Sequence, residues 1–260
     1  MNRSHRIAMM FCVMLATGRA GCATQYADLR SLDLDRLGNA IVADDADYVQ
    51  AAMRGRVISA NQRIPALGYR EGAPILTVAA RYAALGVMRA VLAAGADVNA
   101  RTPHGDTALM LAAFFFNEDR QSDARSYEQH EKAVRLLVEA GAHIENHPHH
   151  YTPLAYAAYQ GHERIVRFLI ERGARVDANA DADYEGDIAY VNTPLMMAVI
   201  QGHEATAVSL LRRGANPRIR VSGGHTAAEF AERYNHQALA RMLRCAERVG
   251  PGEAFSRRCE

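Results

Sequence analysis

Two loops carry the residue types that most often bind metal ions. Four carboxylates alternate along the first loop: Asp181, Asp183, Glu185 and Asp187. With Gly186 in the sixth position, this spacing is typical of calcium-binding loops, although Asn192 stands in the twelfth position, where a bidentate glutamate is needed. The pattern predicts either weak calcium binding or a solvated acidic loop.

The second loop is rich in histidine, with His147, His149 and His150 placed directly before Tyr151. Histidine is a common metal ligand, but consecutive histidines on one loop rarely converge on a single ion. We therefore expect a solvated loop tip or a contact with a partner, and a metal site is the alternative.

No combination of residues predicts catalysis. The sequence lacks the Gly-x-Ser-x-Gly, phosphate-loop and His-Glu-x-x-His patterns that supply a nucleophile, a phosphate cradle or a catalytic zinc. We therefore name no catalytic residue and, calcium apart, no cofactor. The expected protein is not an enzyme.

Residues 1–23 show the pattern of a bacterial secretory signal. Two arginines precede an apolar run from Ile7 to Ala16, which is too short to span a membrane, and small residues surround Cys22. We expect export to the periplasm, with Cys22 either carrying a lipid anchor or lying beside an ordinary cleavage site after Ala23. An uncleaved apolar helix is the remaining alternative.

Removal of this segment would leave a chain without a strong charge. Residues 1–21 contain three arginines and no acidic residue, so their loss changes the net charge from +1 to −2. That value gives no electrostatic basis for binding nucleic acid or anionic lipid.

Two further cysteines, Cys245 and Cys259, lie near the C-terminus. Cysteines of an exported protein can pair in an oxidising compartment. The sequence is compatible with both a disulfide and two free thiols.

A repeated helix pair organises the rest of the chain and must position these loops. In residues 152–178, Thr152 and Pro153 begin a short helix, since a threonine hydroxyl can cap a helix and proline suits its first turn. A break at 160–162 is followed by a second, amphipathic helix, which Gly173 ends. A pair this small cannot bury its own apolar face, so copies must stack.

Copies of this unit recur along the chain. The glycines that end them are Gly95, Gly141, Gly173 and Gly214, at separations of 46, 32 and 41 residues. The matching starts are Thr107, Thr152, Thr193 and Thr226. A period of about 33 residues fits these distances if two copies contain insertions, one of them at 115–127.

The unit resembles the ankyrin repeat in its Thr-Pro-Leu start, its Ala-Ala pair, its Gly-His break and its Gly-Ala end. The resemblance implies an all-α solenoid of stacked helix pairs with projecting β-hairpin loops, in about six repeats that include degenerate ends. It covers 33–248 and leaves 249–260 as a C-terminal tail. The chain departs from the family pattern at Met110, Ala155 and Met196, where histidine is usual.

Other positions acquire expected roles from the same resemblance. The histidines of the Gly-His break, His162, His203 and His236, should fix the turns between helices. Arg244 takes the place of Ile170 in the last repeat, which is typical of a capping repeat with a solvated outer face.

The resemblance also implies a binding face. The two positions after the Ala-Ala pair lie on the concave face of ankyrin proteins, and here they are Arg81 and Tyr82, Phe114 and Phe115, Tyr159 and Gln160, Ile200 and Gln201, and Arg233 and Tyr234. Interfaces favour aromatic residues and arginine, so we predict partner contacts along this line, with Tyr82, Tyr159 and Tyr234 in equivalent positions. Inward packing of Phe114 and Phe115 is the alternative.

These expectations favour a non-enzymatic protein–protein interaction module of the bacterial cell envelope, monomeric when free. The most specific hypothesis is an immunity protein that neutralises a periplasmic toxin or secreted effector, since some exported ankyrin proteins of bacteria are encoded beside toxins. The alternative is an accessory factor that supports an endogenous enzyme, either with or without dependence on calcium.

Overall fold

The computed structural model describes residues 33–66, 69–115, 124–145, 151–178, 193–220 and 224–259. Within these ranges the chain forms successive helix pairs joined by short turns. The predicted signal segment 1–23, which includes Cys22, lies outside the described residues.

The helix pairs follow one another along the described chain. They are α1 (Leu34–Val42) and α2 (Ala46–Arg54), α3 (Ile75–Arg81) and α4 (Leu85–Ala93), α5 (Ala108–Ala113) and α6 (Ala124–Glu139), α7 (Pro153–Tyr159) and α8 (Glu163–Glu171), α9 (Pro194–Ile200) and α10 (Glu204–Arg212), and α11 (Ala227–Arg233) and α12 (Gln237–Val249). Strands β1 (Arg63–Ala66) and β2 (Tyr69–Pro74) form an antiparallel hairpin before α3, and α13 (Glu253–Arg258) follows the last pair. The predicted all-α solenoid with about six repeats is confirmed.

Threonine side chains begin most of the first helices, as the sequence predicts. The hydroxyl oxygens of Thr107, Thr152, Thr193 and Thr226 each accept a hydrogen bond from the backbone N–H three residues further on, at 3.2–3.4 Å. In α11 the Glu229 carboxylate also accepts from the Thr226 N–H at 2.9 Å, which completes a capping box. The caps satisfy donors that a helix leaves unpaired at its start.

The helix pairs stack in two rows around one core. The first helices, from α1 to α11, contact one another in succession, and so do the second helices from α2 to α10. Leu154, Ala157 and Leu169 are fully buried between the rows. Because each repeat buries its apolar face against its neighbours, the core runs continuously along the stack.

A ladder of side-chain acceptors joins the loops that follow the second helices. The backbone N–H groups of Asp97, His143, Arg175 and Asn216 donate to the side chains of Asn61, Asn99, Glu145 and Asp177, respectively, at 2.7–2.9 Å. Arg218 occupies the next position and donates instead, with its Nε 2.6 Å from the Glu247 carbonyl oxygen at the end of α12. This acceptor ladder therefore ends with a reversal from acceptor to donor.

The predicted tail 249–260 contains an additional helix. Helix α13 packs against α10 and α12, where Phe255 is fully buried. The Gly252 N–H donates to the carbonyl oxygen of Leu211 at 2.8 Å, which links the start of α13 to the end of α10. The segment matches no part of the repeat, so the repeat pattern gave no reason to expect a helix there.

Covalent and ionic contacts secure the last repeat. Cys245 of α12 and Cys259 after α13 form a disulfide, with their Cα atoms 5.7 Å apart. Arg244 is partly exposed and forms ion pairs with Glu232 and Glu247, at 3.0 and 3.1 Å. The charge therefore lies at the solvated edge of the final repeat.

The insertion in the third repeat lengthens its second helix. Helix α6 has 16 residues, whereas the second helix of the fourth repeat, α8, has nine. The extra turns at its start place His130 at the position that His162 occupies in the fourth repeat. Residues 116–123 lie outside the described part of the chain.

Candidate interaction surface

Histidines of one repeat fix the turn between the two helices of the preceding repeat. The Nε2–H of His203 donates to the Tyr159 carbonyl oxygen at 3.1 Å, and that of His236 donates to the Ile200 carbonyl oxygen at 3.3 Å. Gly161 has a φ of 74° and lies under the His203 ring, where an added Cβ would come within 2.6 Å of Nδ1. His203 and His236 therefore have the structural role expected of them.

Phe115 is part of this internal structure and does not belong to the open face. Its ring lies between those of His130 and His162, with centroid distances of 4.1 and 4.5 Å and nearly parallel planes. It is 4% exposed, so the prediction of a partner contact at Phe115 is wrong and the inward alternative applies. The flat ring fills the space between two repeats and excludes water from both imidazoles.

The surrounding apolar packing keeps these histidines neutral. Burial lowers the pKa of His130 to about 4, although its Nδ1–H donates to the Ala112 carbonyl oxygen at 3.1 Å. Burial, reinforced by the nearby His130, lowers the pKa of His162 to about 3. The pKa of His203 is also lowered, again mainly by burial.

Four aromatic side chains of the third and fourth repeats form a cluster that remains partly open to solvent. The aromatic cluster consists of Phe114, Tyr151, Tyr156 and Tyr159. The Phe114 ring lies 4.8 Å from that of Tyr156 and 6.2 Å from that of Tyr159, and Tyr151 contacts Tyr156 edge-on at 5.9 Å. Tyr156 was not predicted as part of this face, although large side chains also occupy its position in other repeats, including Phe230.

Tyr82 and Tyr234 lie at separate points along the same row of first helices. Each is the C-cap residue of its helix, and their side chains are 42% and 48% exposed. Tyr159 is instead the last residue of α7, where Gln160 is the C-cap. The prediction that Tyr82, Tyr159 and Tyr234 are equivalent is therefore wrong by one residue for Tyr159, which is also less exposed than the other two.

The remaining positions of the predicted face differ in exposure. Arg81 is partly buried, and its Nη1 donates to the Phe114 carbonyl oxygen at 3.1 Å. Gln160 and Ile200 are also partly buried, whereas Gln201 and Arg233 are exposed. The face thus combines an aromatic centre with polar residues around it, an arrangement found in protein interfaces.

Both metal-binding predictions concern loops outside the described residues. These are the histidines His147, His149 and His150, and the carboxylates Asp181, Asp183, Glu185 and Asp187. Within the described ranges, no group of three or more His, Cys, Asp or Glu side chains could hold a metal ion. None of the helices described combines the length and hydrophobicity that crossing a bilayer requires.

The stacked helix pairs define an α-helical repeat solenoid. Residues 124–180 match a family model of ankyrin repeats in three copies, and residues 154–212 match one of ankyrin repeats in many copies. The matched repeats are therefore ankyrin repeats, and the helix pairs on either side continue the same architecture. Ankyrin repeats indicate a protein–protein interaction module, and this is the functional class that the matched repeats support. No curated protein matches the sequence significantly.

Proposed function

We propose that the chain binds a protein partner across its row of first helices, with the aromatic cluster at the centre of the contact. The observation that carries the proposal is the partial exposure of these contacting rings beside Tyr82 and Tyr234, which are more open. Tyrosine presents a large rigid ring at low entropic cost while its hydroxyl remains hydrated. A partner can therefore bury several rings without a prior rearrangement of the solenoid.

We propose further that the partner is a periplasmic toxin or secreted effector, which the chain neutralises as an immunity protein. The signal-like pattern of residues 1–23 supports an exported chain, which Cys22 would anchor if it is lipidated. The Cys245–Cys259 disulfide also favours this setting, because disulfides persist in oxidising compartments.

An accessory factor for an endogenous enzyme is the second candidate. The alternating carboxylates from Asp181 to Asp187 favour it, because calcium would order that loop for binding. Co-purification from the cell envelope with and without a calcium chelator separates the two functions. An endogenous enzyme retained only with calcium supports the accessory role, whereas a toxin retained under both conditions supports the immunity role.

Site-specific photo-crosslinking tests the proposed face. A photo-reactive amino acid at Tyr82 or Tyr234 should crosslink the protein encoded beside the gene of this chain. The same amino acid at Arg167, an exposed position of α8 in the other row, should not crosslink it. Crosslinks from Arg167 and none from the two tyrosines would place the interface on the opposite side.

A further inference from the structure

The second helices of the last two repeats border a groove that α13 fills at one end. Helix α13 contacts both α10 and α12. Phe255 is fully buried there, and the Gly252 N–H donates to the Leu211 carbonyl oxygen. The chain thus places its own C-terminal helix in a site formed by two repeats.

The other end of the groove is an open cavity of about 620 Å³. Val208 of α10 and Met242 of α12 supply apolar lining. Arg241 and Arg258 supply two positive charges, which outnumber the one negative charge of Glu204 at the start of α10. Cys245 and Cys259 also line the cavity, so their disulfide stands between the filled and the open parts of the groove. A small molecule in the cavity reaches the sulfur atoms without unfolding the repeats.

We propose that the Cys245–Cys259 bond is a thiol–disulfide exchange site, which small anionic thiols reach through this cavity, and that a dithiol reductant releases α13. A reductant thiolate attacks one cysteine sulfur, so a mixed disulfide forms while the Cys245–Cys259 bond breaks and the leaving sulfur takes a proton. The second thiol of the reductant, as thiolate, then displaces the other cysteine, which is also protonated. Two electrons pass from the dithiol to the protein.

The charges around the cavity suit this reaction. Arg241 lies one helical turn before Cys245, and Arg258 directly precedes Cys259. The attacking species is a thiolate, and the leaving sulfur develops negative charge, so two guanidinium groups favour both. An anionic thiol such as glutathione is therefore the class of reductant that this site attracts.

The position of helix α13 depends on the Cys245–Cys259 disulfide, because the helix makes few other contacts. It has six residues, and a helix so short is unstable in isolation. Its ion pair between Arg257 and Glu253 is highly exposed and adds little. Once the bond is cut, the helix is held mainly by the buried Phe255 ring and by the hydrogen bond from the Gly252 N–H to Leu211. If these contacts open, the whole groove between α10 and α12 becomes available.

Hydrogen exchange of the full chain tests the release. Dithiothreitol without denaturant should convert Cys245 and Cys259 to free thiols, and exchange at the amides of 253–259 should rise about tenfold or more while α7 and α8 keep their protection. Cys245→Ser and Cys259→Ser should give the same loss of protection without reductant. The proposal is overturned if reduction requires denaturant, or if α13 stays protected after the bond is cut.

The entry route has a separate kinetic test. Glutathione adduct formation, followed by mass spectrometry, should be roughly threefold slower in the double variant Arg241→Gln/Arg258→Gln, because two charges near the sulfurs are lost. Cysteamine, whose thiolate form has no net charge, should be slowed less, and Arg89→Gln, at an exposed position of α4, should leave both rates unchanged. Equal rates of glutathione adduct formation in the double variant and the wild type would contradict the proposal that thiols reach the disulfide through this cavity.

Discussion

Phe114 and Phe115 are adjacent in sequence but serve different parts of the molecule. Phe114 follows the last residue of α5 and joins the partly open aromatic cluster, whereas Phe115 turns inward between two imidazoles. Both positions follow the same Ala-Ala pair, so sequence spacing alone assigns them to one face. The inward position is decided by His130 and His162, which come from α6 and from the next repeat.

Removal of the Tyr159 side chain should affect both binding and stability. Tyr159→Ala should weaken partner binding by about 2 kcal/mol or more if the ring is central to the interface. The free energy of unfolding should fall by about 1 kcal/mol, because the partly buried ring packs against Phe114. Binding titrations and urea denaturation measure the two effects.

Two matched variants separate these contributions. Tyr159→Phe retains the ring and should preserve stability, while Tyr234→Ala should change the unfolding free energy by less than about 0.5 kcal/mol because that residue is exposed. Unimpaired binding by Tyr159→Ala would place the interface elsewhere on the molecule.

The buried histidines should make the protein less stable in acid. The pKa values of His130 and His162 fall from 6.5 to about 4 and about 3 on folding. Below pH 6.5 the unfolded chain therefore binds more protons than the folded chain, and the free energy of unfolding decreases as the pH falls. Between pH 7.5 and pH 5 the expected loss is about 2 kcal/mol for each histidine, measurable by urea denaturation.

A set of glutamine variants identifies the groups responsible. The wild type, measured in parallel, sets the reference pH dependence. His130→Gln and His162→Gln should each reduce the loss between pH 7.5 and pH 5 by about 2 kcal/mol. An undiminished loss in the double variant would assign the effect to other titrating groups.

At the scale of one helix, a substitution to alanine should cost more stability in a central repeat than at the edge of the stack. Leu169 of α8 is fully buried, so Leu169→Ala should lower the unfolding free energy by about 2–5 kcal/mol. Arg244 of α12 is partly exposed, and Arg244→Ala should cost no more than about 1 kcal/mol, the usual limit for surface ion pairs. Equal losses in urea denaturation would refute the repeat alignment.

The acceptor ladder can be tested at a single rung. Asn99 accepts a hydrogen bond from the His143 N–H at 2.8 Å, and its amide approaches the Gly141 carbonyl oxygen at 3.5 Å. Asn99→Ala should lower the unfolding free energy by about 1 kcal/mol, because the rung is lost at an exposed site. Asn99→Asp keeps the acceptor and should lose much less, so equal losses would mean that the accepted bond contributes nothing.

The helix pairs were predictable because their signals are local. Thr152 and Pro153 specify a helix start within one turn, and Gly173 specifies an end whose φ is 95°. The sequence does not reveal α13 in the same way, because its stability depends on Phe255 entering a groove formed by two other helices. The aromatic cluster was predictable in part: spacing identified Phe114 and Tyr159, but the contact with Tyr156 requires the neighbouring repeat to be in place.

Across the whole molecule, the destabilisation caused by a substitution in one repeat should extend only to the neighbouring repeats. Phe255→Ala removes a fully buried ring and should cost about 3–5 kcal/mol in the C-terminal part of the stack. Hydrogen exchange in α12 should then rise, while exchange in α3 and α4 should stay unchanged, since each repeat contacts only its neighbours. A uniform rise along the chain would indicate one cooperative unit instead.

The acceptor ladder also makes the two ends of the repeat stack different. It runs from each repeat to the next one along the chain, and it ends at Arg218. In each rung, a side chain of one repeat accepts a hydrogen bond from a backbone N–H of the following repeat. A duplicate of the fourth repeat could therefore be inserted after any repeat whose ladder position is Asn, Asp or Glu, because these side chains can accept the bond. If the same duplicate followed the last repeat, the Arg218 guanidinium would face the backbone N–H of the duplicate. Both groups are hydrogen-bond donors, so no bond could form. Adding a repeat after the last one therefore requires Arg218→Asn or Arg218→Asp, besides a change at Arg244, whose charge lies at the edge of the final repeat.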